Sequence, residues 1–315
     1  MCTDCGCSDG AKVTVTKVEG ASAKGGPAKA AEKGLWRSIV DQLHDGGLIH
    51  DHSRPPPLGH AHRHHGHDHA HGHDHGHDHH HDHDHGHHHH HHHETDGGVV
   101  AVEQSLLAKN DALAAQNRAW LAGREVLMLN LVSSPGSGKT SLLERTIRDL
   151  TDRHAIAVIE GDQATSNDGE RIAAAGAPAV QVNTGTGCHL EADMIRRGLD
   201  QLRPRPGSIV MVENVGNLVC PALFDLGELA KVAILSVTEG EDKPLKYPHM
   251  FRAARLLLLN KIDLLPHLDF DVAKALRYAR EVNPDVEVIE VSARTGSGME
   301  EWYRWLESRL AEVNA

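Results

Sequence analysis

A glycine-rich segment near the middle of the chain has the composition of a phosphate-binding loop. It runs Ser133-Ser-Pro-Gly-Ser-Gly-Lys-Thr140, between an apolar stretch of strand length and a helical pattern. Gly136 and Gly138 let backbone N–H groups surround phosphate oxygens, Lys139 would reach the β- and γ-phosphates, and the Thr140 hydroxyl would bind Mg²⁺. The loop residues expected to contact the nucleotide are Ser134, Gly136, Ser137, Gly138, Lys139, Thr140 and Ser141. The alternative, a chance Gly-Ser turn, does not account for the flanking elements.

Two later segments indicate which base is bound. An apolar stretch ends in Asn260-Lys-Ile-Asp263, and another ends in Ser292-Ala293-Arg294. The Asp263 carboxylate can accept two hydrogen bonds from guanine, whereas adenine would leave that charge unpaired. Lys261 would lie along the base, Asn260 would brace the loop, and a backbone N–H of the Ser292 segment would meet guanine O6. Three motifs in this order predict GTP as the nucleotide.

The residues that would support hydrolysis are less sharply defined. Glu213-Asn-Val-Gly216 follows an apolar stretch where GTPases usually carry Asp-x-x-Gly. Glu213 would face Mg²⁺ through a water, and the Gly216 N–H would contact the γ-phosphate. Asp162 is a further Mg²⁺ candidate; a loop carboxylate can also cap a helix, a role that suits Asp168 better. No residue stands out for positioning the attacking water, so slow hydrolysis is expected unless dimerisation or a partner completes the site.

Three cysteines open the chain. Cys2, Cys5 and Cys7 form a Cys-x-x-Cys-Gly-Cys motif, in which a turn lets the thiolates face one ion. Thiolates suit borderline metals such as Ni²⁺ and Zn²⁺. The alternative interpretation is a redox-active terminus, or one without a function.

A histidine tract follows. Of the 29 histidines, 22 lie between His60 and His93 in His-Asp-His and His-Gly-His repeats. Neutral imidazoles bind Ni²⁺, Cu²⁺ or Zn²⁺, and a crowded tract without fixed geometry suits storage. The unbroken run His87–His93 could be an engineered tag, but it ends a longer repeat.

A third candidate metal site comprises Cys188, His189 and Cys220. Alone, two such cysteines are more often small buried groups, and His189 could open a helix. However, Cys220 lies four positions after Gly216, and Cys188 follows the glycine-rich loop Thr184–Gly187. Both loops should lie at the edge of a parallel sheet where ligands collect. A metal there would favour one nucleotide state, which would make its release switchable.

The surrounding pattern predicts an α/β fold: a P-loop GTPase domain whose mostly parallel sheet is covered by helices on both faces. The predicted strands are 126–132, 155–160, 179–182, 208–213, 232–237, 256–260 and 286–291. The predicted helices are one ending at Gly123 and those at 140–151, 189–201, 270–282 and 299–312. The expected domains are 1–59, a largely disordered segment with a short helical pattern near Leu35–Leu43; 60–98, the histidine tract; and 99–315, the GTPase domain.

The net charge and the lengths of the apolar runs argue against two classes of function, binding to nucleic acid and association with membranes. The net charge is −12, shared equally between the first 100 residues and the rest, so binding to nucleic acid or an anionic membrane is not expected. No apolar run reaches 18 residues and no signal-peptide core is present, which predicts a cytoplasmic protein.

Together these motifs closely resemble the HypB family of nickel-incorporation GTPases in NiFe-hydrogenase maturation. The likeness covers the terminal cysteines, the histidine insert and residues 100–315. Ser133, in place of the usual first glycine, and Glu213, in place of aspartate, are normal for that family. The resemblance implies a GTP-dependent homodimer that holds nickel or zinc on Cys188, His189 and Cys220 at its interface. It also implies nickel delivery to the hydrogenase large-subunit precursor, alongside a small metallochaperone of the HypA family.

Three other functions fit the sequence less well. The urease nickel GTPases carry Cys-Pro-His, whereas Pro221 is followed here by Ala222. Cobalamin-enzyme chaperone GTPases have no use for so many metal ligands. Passive nickel storage on a GTPase scaffold does not explain why Lys139, Thr140 and Asp263 are intact.

Overall fold

Eight strands position the loops that carry these motifs. The computed structural model describes residues 13–18, 96–162, 167–185 and 187–315. The strands are β1 Thr14–Val18, β2 Leu127–Ser133, β3 Ile156–Asp162, β4 Ala179–Asn183, β5 Ile209–Glu213, β6 Ala230–Ser236, β7 Ala254–Asn260 and β8 Glu287–Glu290. They form one sheet in the order β1-β4-β3-β5-β2-β6-β7-β8, in which β1 is antiparallel to its neighbour and the other pairs are parallel. The predicted mostly parallel sheet is confirmed.

Helices connect the strands. They are α1 Asp96–Ala122, α2 Lys139–Leu150, α3 Asn167–Ala174, α4 Ala192–Leu202, α5 Cys220–Leu223, α6 Lys243–Lys246, α7 Pro248–Ala253, α8 Val272–Val282 and α9 Met299–Val313, with a 3₁₀ helix at Ile262–His267. In the described part of the chain, no helix has the length and apolarity needed to cross a bilayer.

Strand β2 shows why both faces of the sheet must be covered. All seven of its residues are buried, because alternate side chains point to opposite faces. Leu127, Leu129 and Leu131 pack with the buried faces of α2 and α9, including Trp302. Met128 packs on the other face, in a cluster that includes residues of α1 and α4. The central strand is therefore held from two sides, which fixes the loop that follows it.

Strand β1 is the main departure from the predicted organisation, since it lies in a segment expected to be unstructured. It pairs antiparallel with β4, with Thr14 opposite Asn183 and Val18 opposite Ala179. The signal was present in the alternating sequence Val13-Thr-Val-Thr-Lys-Val18, whose valines are partly buried and whose threonines are exposed.

Two local expectations about the loops need correction. The helix predicted from His189 begins at Ala192 with Glu191 as its N-cap, so His189 lies in the preceding loop. Asp168, expected to cap a helix, lies within the first turn of α3 and accepts a hydrogen bond from Arg171 at 2.8 Å. The helical pattern near Leu35–Leu43 lies outside the described residues.

Candidate functional site

The phosphate-binding loop follows directly from its two flanking elements. Strand β2 ends at Ser133, and α2 begins at Lys139. Gly136 and Gly138 have φ values of 75° and 94°, a left-handed conformation that glycine adopts without steric cost. The loop borders a cavity of about 610 Å³, also lined by Asp162, Glu213 and Gly216. This cavity lies at the N-terminus of α2, where backbone N–H groups favour an anion.

Glu213 meets the loop at the point expected for Mg²⁺. The Thr140 hydroxyl donates a hydrogen bond to Glu213 Oε1 at 2.7 Å, and Lys139 Nζ lies 3.6 Å from the same oxygen. Glu213 is 4% exposed, and its Oε2 has no hydrogen-bond partner in the described ranges. Burial raises the pKa of Glu213, and the Lys139 charge opposes that rise. A buried carboxylate oxygen without a partner, beside a hydroxyl and a phosphate cavity, suits a hard cation such as Mg²⁺.

A second buried carboxylate lies beside Glu213 and was not predicted from the sequence as a site residue. Glu160 is 3% exposed and lies opposite Glu213 in the register of β3 and β5. Burial, followed by the charges of Glu213 and Asp162, raises the pKa of Glu160 to about 8. The available signal was an acidic residue at the end of an otherwise apolar strand. Glu160 therefore places a second buried carboxyl group beside Glu213, the residue expected to face Mg²⁺.

The base-recognition residues line a smaller cavity of about 210 Å³. Asp263, Ser292, Ala293 and Arg294 contribute to its wall, together with Ser141 of α2. The Ser292 hydroxyl donates a hydrogen bond to Asp263 Oδ1 at 2.6 Å, which orients the carboxylate. The predicted guanine residues therefore lie around one pocket next to the phosphate loop.

Asn260 and Lys261 connect that pocket to the phosphate loop through hydrogen bonds. Asn260 Nδ2 donates to the Ser137 carbonyl at 2.9 Å, and its Oδ1 accepts from the Ala293 N–H at 3.4 Å. Lys261 Nζ donates to the Gly136 carbonyl at 2.5 Å. Both residues brace the loop, as expected for Asn260. Lys261 adds a bridge that the sequence did not indicate.

Two further basic residues contact the phosphate loop or line its cavity. Lys243 Nζ donates to Ser134 Oγ at 3.3 Å and lies 3.4 Å from Glu239. Arg171 lines the large cavity and forms an ion pair with Glu144 at 3.0 Å. Neither residue belongs to a recognisable motif, so sequence reasoning could not identify them.

The three predicted metal ligands of the domain come together. One ligand atom each from Cys188, His189 and Cys220 lies within 4.8 Å of the others. The two Sγ atoms are 2.8 Å apart, and Cys188 Sγ is 3.6 Å from His189 Nδ1. All three side chains are partly buried. Two thiolates and an imidazole at these separations form a donor set suited to Ni²⁺ or Zn²⁺.

The imidazole of His189 is held by its neighbours. Its ring stacks on Phe224 with the centroids 3.9 Å apart. Its Nε2 lies 3.7 Å from Glu191 Oε1, and the proximity of the imidazole lowers the pKa of that carboxyl. With the ring stacked on Phe224 and Nε2 near Glu191, the other ring nitrogen, Nδ1, faces Cys188.

A buried polar network starts beside Glu213. Asn214 is 1% exposed; its Oδ1 accepts hydrogen bonds from the N–H groups of Leu190 and Val215, at 3.3 and 3.0 Å. Its Nδ2 donates to Asn130 Oδ1 at 3.1 Å, and Asn130 Nδ2 donates to Glu228 Oε1 at 3.1 Å. The side chain after the Mg²⁺ candidate is therefore bonded to the backbone that carries His189.

A second set of contacts connects this hydrogen-bond network to the candidate metal ligands. Lys231 Nζ donates to Glu228 Oε1 at 2.6 Å and to the carbonyl of Phe224 at 2.9 Å. Phe224 is the residue that stacks on His189. Asn217 Nδ2 also donates to the Cys188 carbonyl at 3.3 Å. The loop after β5 thus contacts the segment that carries Cys188 and His189 through two hydrogen bonds, one to Asn214 and one from Asn217.

The other predicted metal ligands cannot be located. Cys2, Cys5 and Cys7 and the His60–His93 tract lie outside the described residues. They remain predictions from the sequence.

The chain is similar to several known proteins. The nucleotide-binding domain of the CobW/HypB/UreG family matches residues 127–290. The chain is 64% identical over 209 residues to the hydrogenase maturation factor HypB of Azotobacter vinelandii, covering 66% of this chain and 69% of the relative. It is 61% identical to that of Escherichia coli K12 over 211 residues, covering 67% and 73%. A crystal structure of HypB from Helicobacter pylori in complex with nickel aligns with a TM-score of 0.61 at 35% identity, over 65% of this chain and 96% of that one.

Proposed function

The chain belongs to the HypB family of hydrogenase maturation factors, and from that premise we propose that it is a GTP-hydrolysing nickel metallochaperone. It binds and stores nickel and delivers it to the large-subunit precursor of a NiFe-hydrogenase. Delivery is coupled to the nucleotide state and to dimerisation.

One observation carries the proposal: the nucleotide cavity and the metal ligands share a short loop. Glu213, which accepts the Thr140 hydrogen bond, and Cys220 are seven positions apart. Between them, Asn214 and Asn217 are bonded to the segment that holds Cys188 and His189. A change at Glu213 on nucleotide binding therefore moves or strains the metal ligands. Coupling of two sites requires such a shared element with two arrangements.

The nucleotide site supports GTP as the substrate. Lys139 and the N–H groups of Gly136 and Gly138 would hold the β- and γ-phosphates, and Asp263 would select guanine. Thr140, Glu213 and Asp162 would hold Mg²⁺, which would neutralise charge on the phosphates. Gly216 lines the cavity where the γ-phosphate would be, and its N–H would contact that phosphate. Since the sequence contains no recognisable water-positioning residue, we expect intrinsic hydrolysis to be slow and a partner or dimerisation to accelerate it.

Nickel is the cargo. Cys188, His189 and Cys220 offer a compact soft donor set, and the neighbouring structure from Helicobacter pylori contains nickel. Zinc suits the same ligands and competes for them. The histidine tract supplies storage, and Cys2, Cys5 and Cys7 supply a separate thiolate site.

The proposed assembly is a GTP-dependent homodimer with the metal ligands at its interface. Val219 and Leu223, on either side of Cys220, are 51% and 55% exposed, as expected of apolar residues that another surface covers. The other proposed partners are a small HypA-type metallochaperone and the hydrogenase large-subunit precursor. The proposed domains are 1–59, 60–98 and 99–315, with Thr14–Val18 of the first segment joining the sheet of the GTPase domain.

Replacement of Lys139 by alanine tests the proposal. Delivery that needs the nucleotide predicts loss of hydrogenase activity in cells that express Lys139→Ala, with the nickel content of the protein unchanged. Lys246→Ala, an exposed lysine of α6, is the matched control and should mature hydrogenase normally. Normal maturation by Lys139→Ala would instead favour nickel storage with a regulatory GTPase fold. If Lys139→Ala lowered urease activity and left hydrogenase activity unchanged, the chain would deliver nickel to urease instead.

A further inference from the structure

Arg171 brings a further positive charge to the phosphate cavity. Within the described part of the chain, the lysines and arginines that line this cavity are Lys139, Arg171 and Lys261. Lys139 is expected on the β- and γ-phosphates, and Lys261 is bonded to the carbonyl of Gly136 in the phosphate loop. Arg171 lies on α3, the helix after β3, so it would approach a bound triphosphate from outside the phosphate loop.

The helix that carries Arg171 is fixed against the rest of the domain. Ile172 is completely buried and belongs to the core cluster that includes buried leucines of α2. Gly169 is also buried, and a Cβ there would come within 3.1 Å of Val18 Cγ2 on β1. Asp168, three positions before Arg171 and on the same face of the helix, lines the phosphate cavity as well. The backbone of α3 therefore places Arg171 beside the cavity, and only its side chain has to move to reach a phosphate.

Two carboxylates hold the Arg171 guanidinium. Its Nε and Nη2 donate to the two oxygens of Glu144 on α2, at 3.2 and 3.0 Å, and its Nη1 donates to Asp168 at 2.8 Å. Nη2 is also 3.5 Å from the Oγ of Ser141, which follows Thr140 in the chain. The two parallel N–H groups that fit a carboxylate also fit two oxygens of a phosphate. The guanidinium therefore lies beside the first turn of α2, where phosphate oxygens are expected.

These ion pairs are weak enough for a nucleotide to displace. The Arg171 side chain is 45% exposed, and ion pairs of exposed groups contribute about 0–1 kcal/mol. The Glu144 side chain is only 15% exposed, so it is the stronger of the two partners and the one that limits release. A triphosphate carries several negative charges where Glu144 carries one, and electrostatic attraction grows with charge. Bound GTP can therefore compete with Glu144 for the guanidinium.

We propose that Arg171 is a catalytic residue of GTP hydrolysis, which Glu144 holds until the guanidinium transfers to the γ-phosphate. The inference rests on the proposed function, because it takes the chain to hydrolyse GTP. Water forms a bond to the γ-phosphorus, and the bond from that phosphorus to the β–γ bridging oxygen breaks with its electron pair left on GDP. One proton of the water stays on the released phosphate and the other goes to solvent. The Arg171 guanidinium neutralises the charge that these oxygens carry in the transition state, as an arginine within the same chain does in some GTPases.

Substitutions of Arg171 and of Glu144 should have opposite effects on hydrolysis. The kcat of the full-length chain, measured at saturating GTP and Mg²⁺, should fall about tenfold or more in Arg171→Ala. It should rise about threefold in Glu144→Gln, which removes the competing charge, and the double variant should be as slow as Arg171→Ala. Arg171→Lys keeps the charge but not the paired N–H groups, so it should recover only part of the loss. Affinity for a non-hydrolysable GTP analogue should change less than kcat, and binding of the analogue shows that each variant is folded.

Arg148 provides the matched control. It also pairs with Glu144, at 3.7 Å, but it lies outside the lining of the phosphate cavity, so Arg148→Gln should keep the kcat of the parent within about twofold. An ion pair with only a structural role would make Arg171→Ala and Glu144→Gln shift kcat in the same direction, or leave it unchanged. Either result, in a parent chain that hydrolyses GTP, would overturn the role of Arg171 and leave the proposed function standing. A parent chain that hydrolyses no GTP would overturn the GTPase activity and this inference together.

Discussion

Asn214 accepts a hydrogen bond from the Leu190 backbone N–H at 3.3 Å, and this contact joins the two halves of the site. Asn214 follows Glu213, which accepts the Thr140 hydrogen bond, and Leu190 follows the metal-ligand candidate His189. Both Asn214 and Leu190 are buried, so the bond is protected from water. A single hydrogen bond thus connects the segment beside the nucleotide cavity with the segment that carries the metal-ligand candidates.

Replacing Asn214 by alanine should therefore uncouple the sites. The Leu190 and Val215 N–H groups would lose their acceptor, and the difference in nickel affinity between the GDP and GTP-analogue states should fall from about tenfold to below twofold. Titration of both states with Ni²⁺ measures this. Asn283→Ala removes an asparagine that bonds the backbone around α7, far from both sites, and should keep the full difference. Full coupling in Asn214→Ala would exclude this route.

Glu213→Gln should weaken Mg²⁺-dependent GTP binding. The variant keeps the size of the side chain but removes the charge that would balance the cation, so GTP affinity with Mg²⁺ should fall about tenfold or more. Affinity in the presence of a chelator should change little. Calorimetric titration with and without Mg²⁺ separates the two effects, and Glu290→Gln on β8 serves as the exposed control. If the Mg²⁺ dependence of GTP affinity were unchanged in Glu213→Gln, Glu213 would not be a Mg²⁺ contact.

Asp263→Asn should change the choice of base. The amide oxygen can still accept one of guanine's two hydrogen bonds. Loss of the other, a hydrogen bond to a charged group worth about 1.5–3 kcal/mol, should lower GTP affinity about 10- to 150-fold. Xanthine carries a carbonyl where guanine has its amine, and the new amide can donate to it. Xanthosine triphosphate should therefore bind the variant better than the parent. Competition between the two nucleotides tests the prediction, which fails if the preference for guanine survives.

Gly161→Ala should displace the loop that carries Cys188 and His189. The added Cβ would lie 2.7 Å from Leu190, a fully buried residue, so Leu190 must shift and carry His189 with it. We expect nickel affinity at the Cys188 site to fall and the free energy of unfolding to drop by about 1–3 kcal/mol. Gly123→Ala is the control, since its Cβ would meet atoms at ordinary contact distance, 3.4 Å or more. Denaturant unfolding and nickel titration of both variants decide the matter, and unchanged nickel affinity in Gly161→Ala would show that the loop adapts.

The parts of the site that could be predicted are those defined by local sequence. The phosphate loop is a strand, a glycine turn and a helix in succession, so its geometry follows from neighbouring residues. Grouping of Cys188 with Cys220 could be anticipated because parallel strands gather their following loops at one edge. Pairing of β1 with β4 joins residues about 165 positions apart, and nothing local in Thr14–Val18 indicates its partner. The hydrogen bonds of Asn214 likewise join β2 to the loops that follow β4 and β5, and no sequence spacing predicts contacts between segments so far apart in the chain.

Nickel affinity of the Cys188 site in each nucleotide state tests the central claim most directly. The full-length chain with Cys2, Cys5 and Cys7 replaced by serine would be titrated without nucleotide, with GDP, and with Mg²⁺ and a non-hydrolysable GTP analogue. Thiolate-to-nickel absorption reports on the remaining cysteines and not on the histidine tract. Nucleotide-coupled delivery predicts that affinity changes about tenfold or more, roughly 1.4 kcal/mol of coupling, and that Cys188→Ala or Cys220→Ala abolishes the signal. The same affinity in all three states would contradict it, since the site would then be structural.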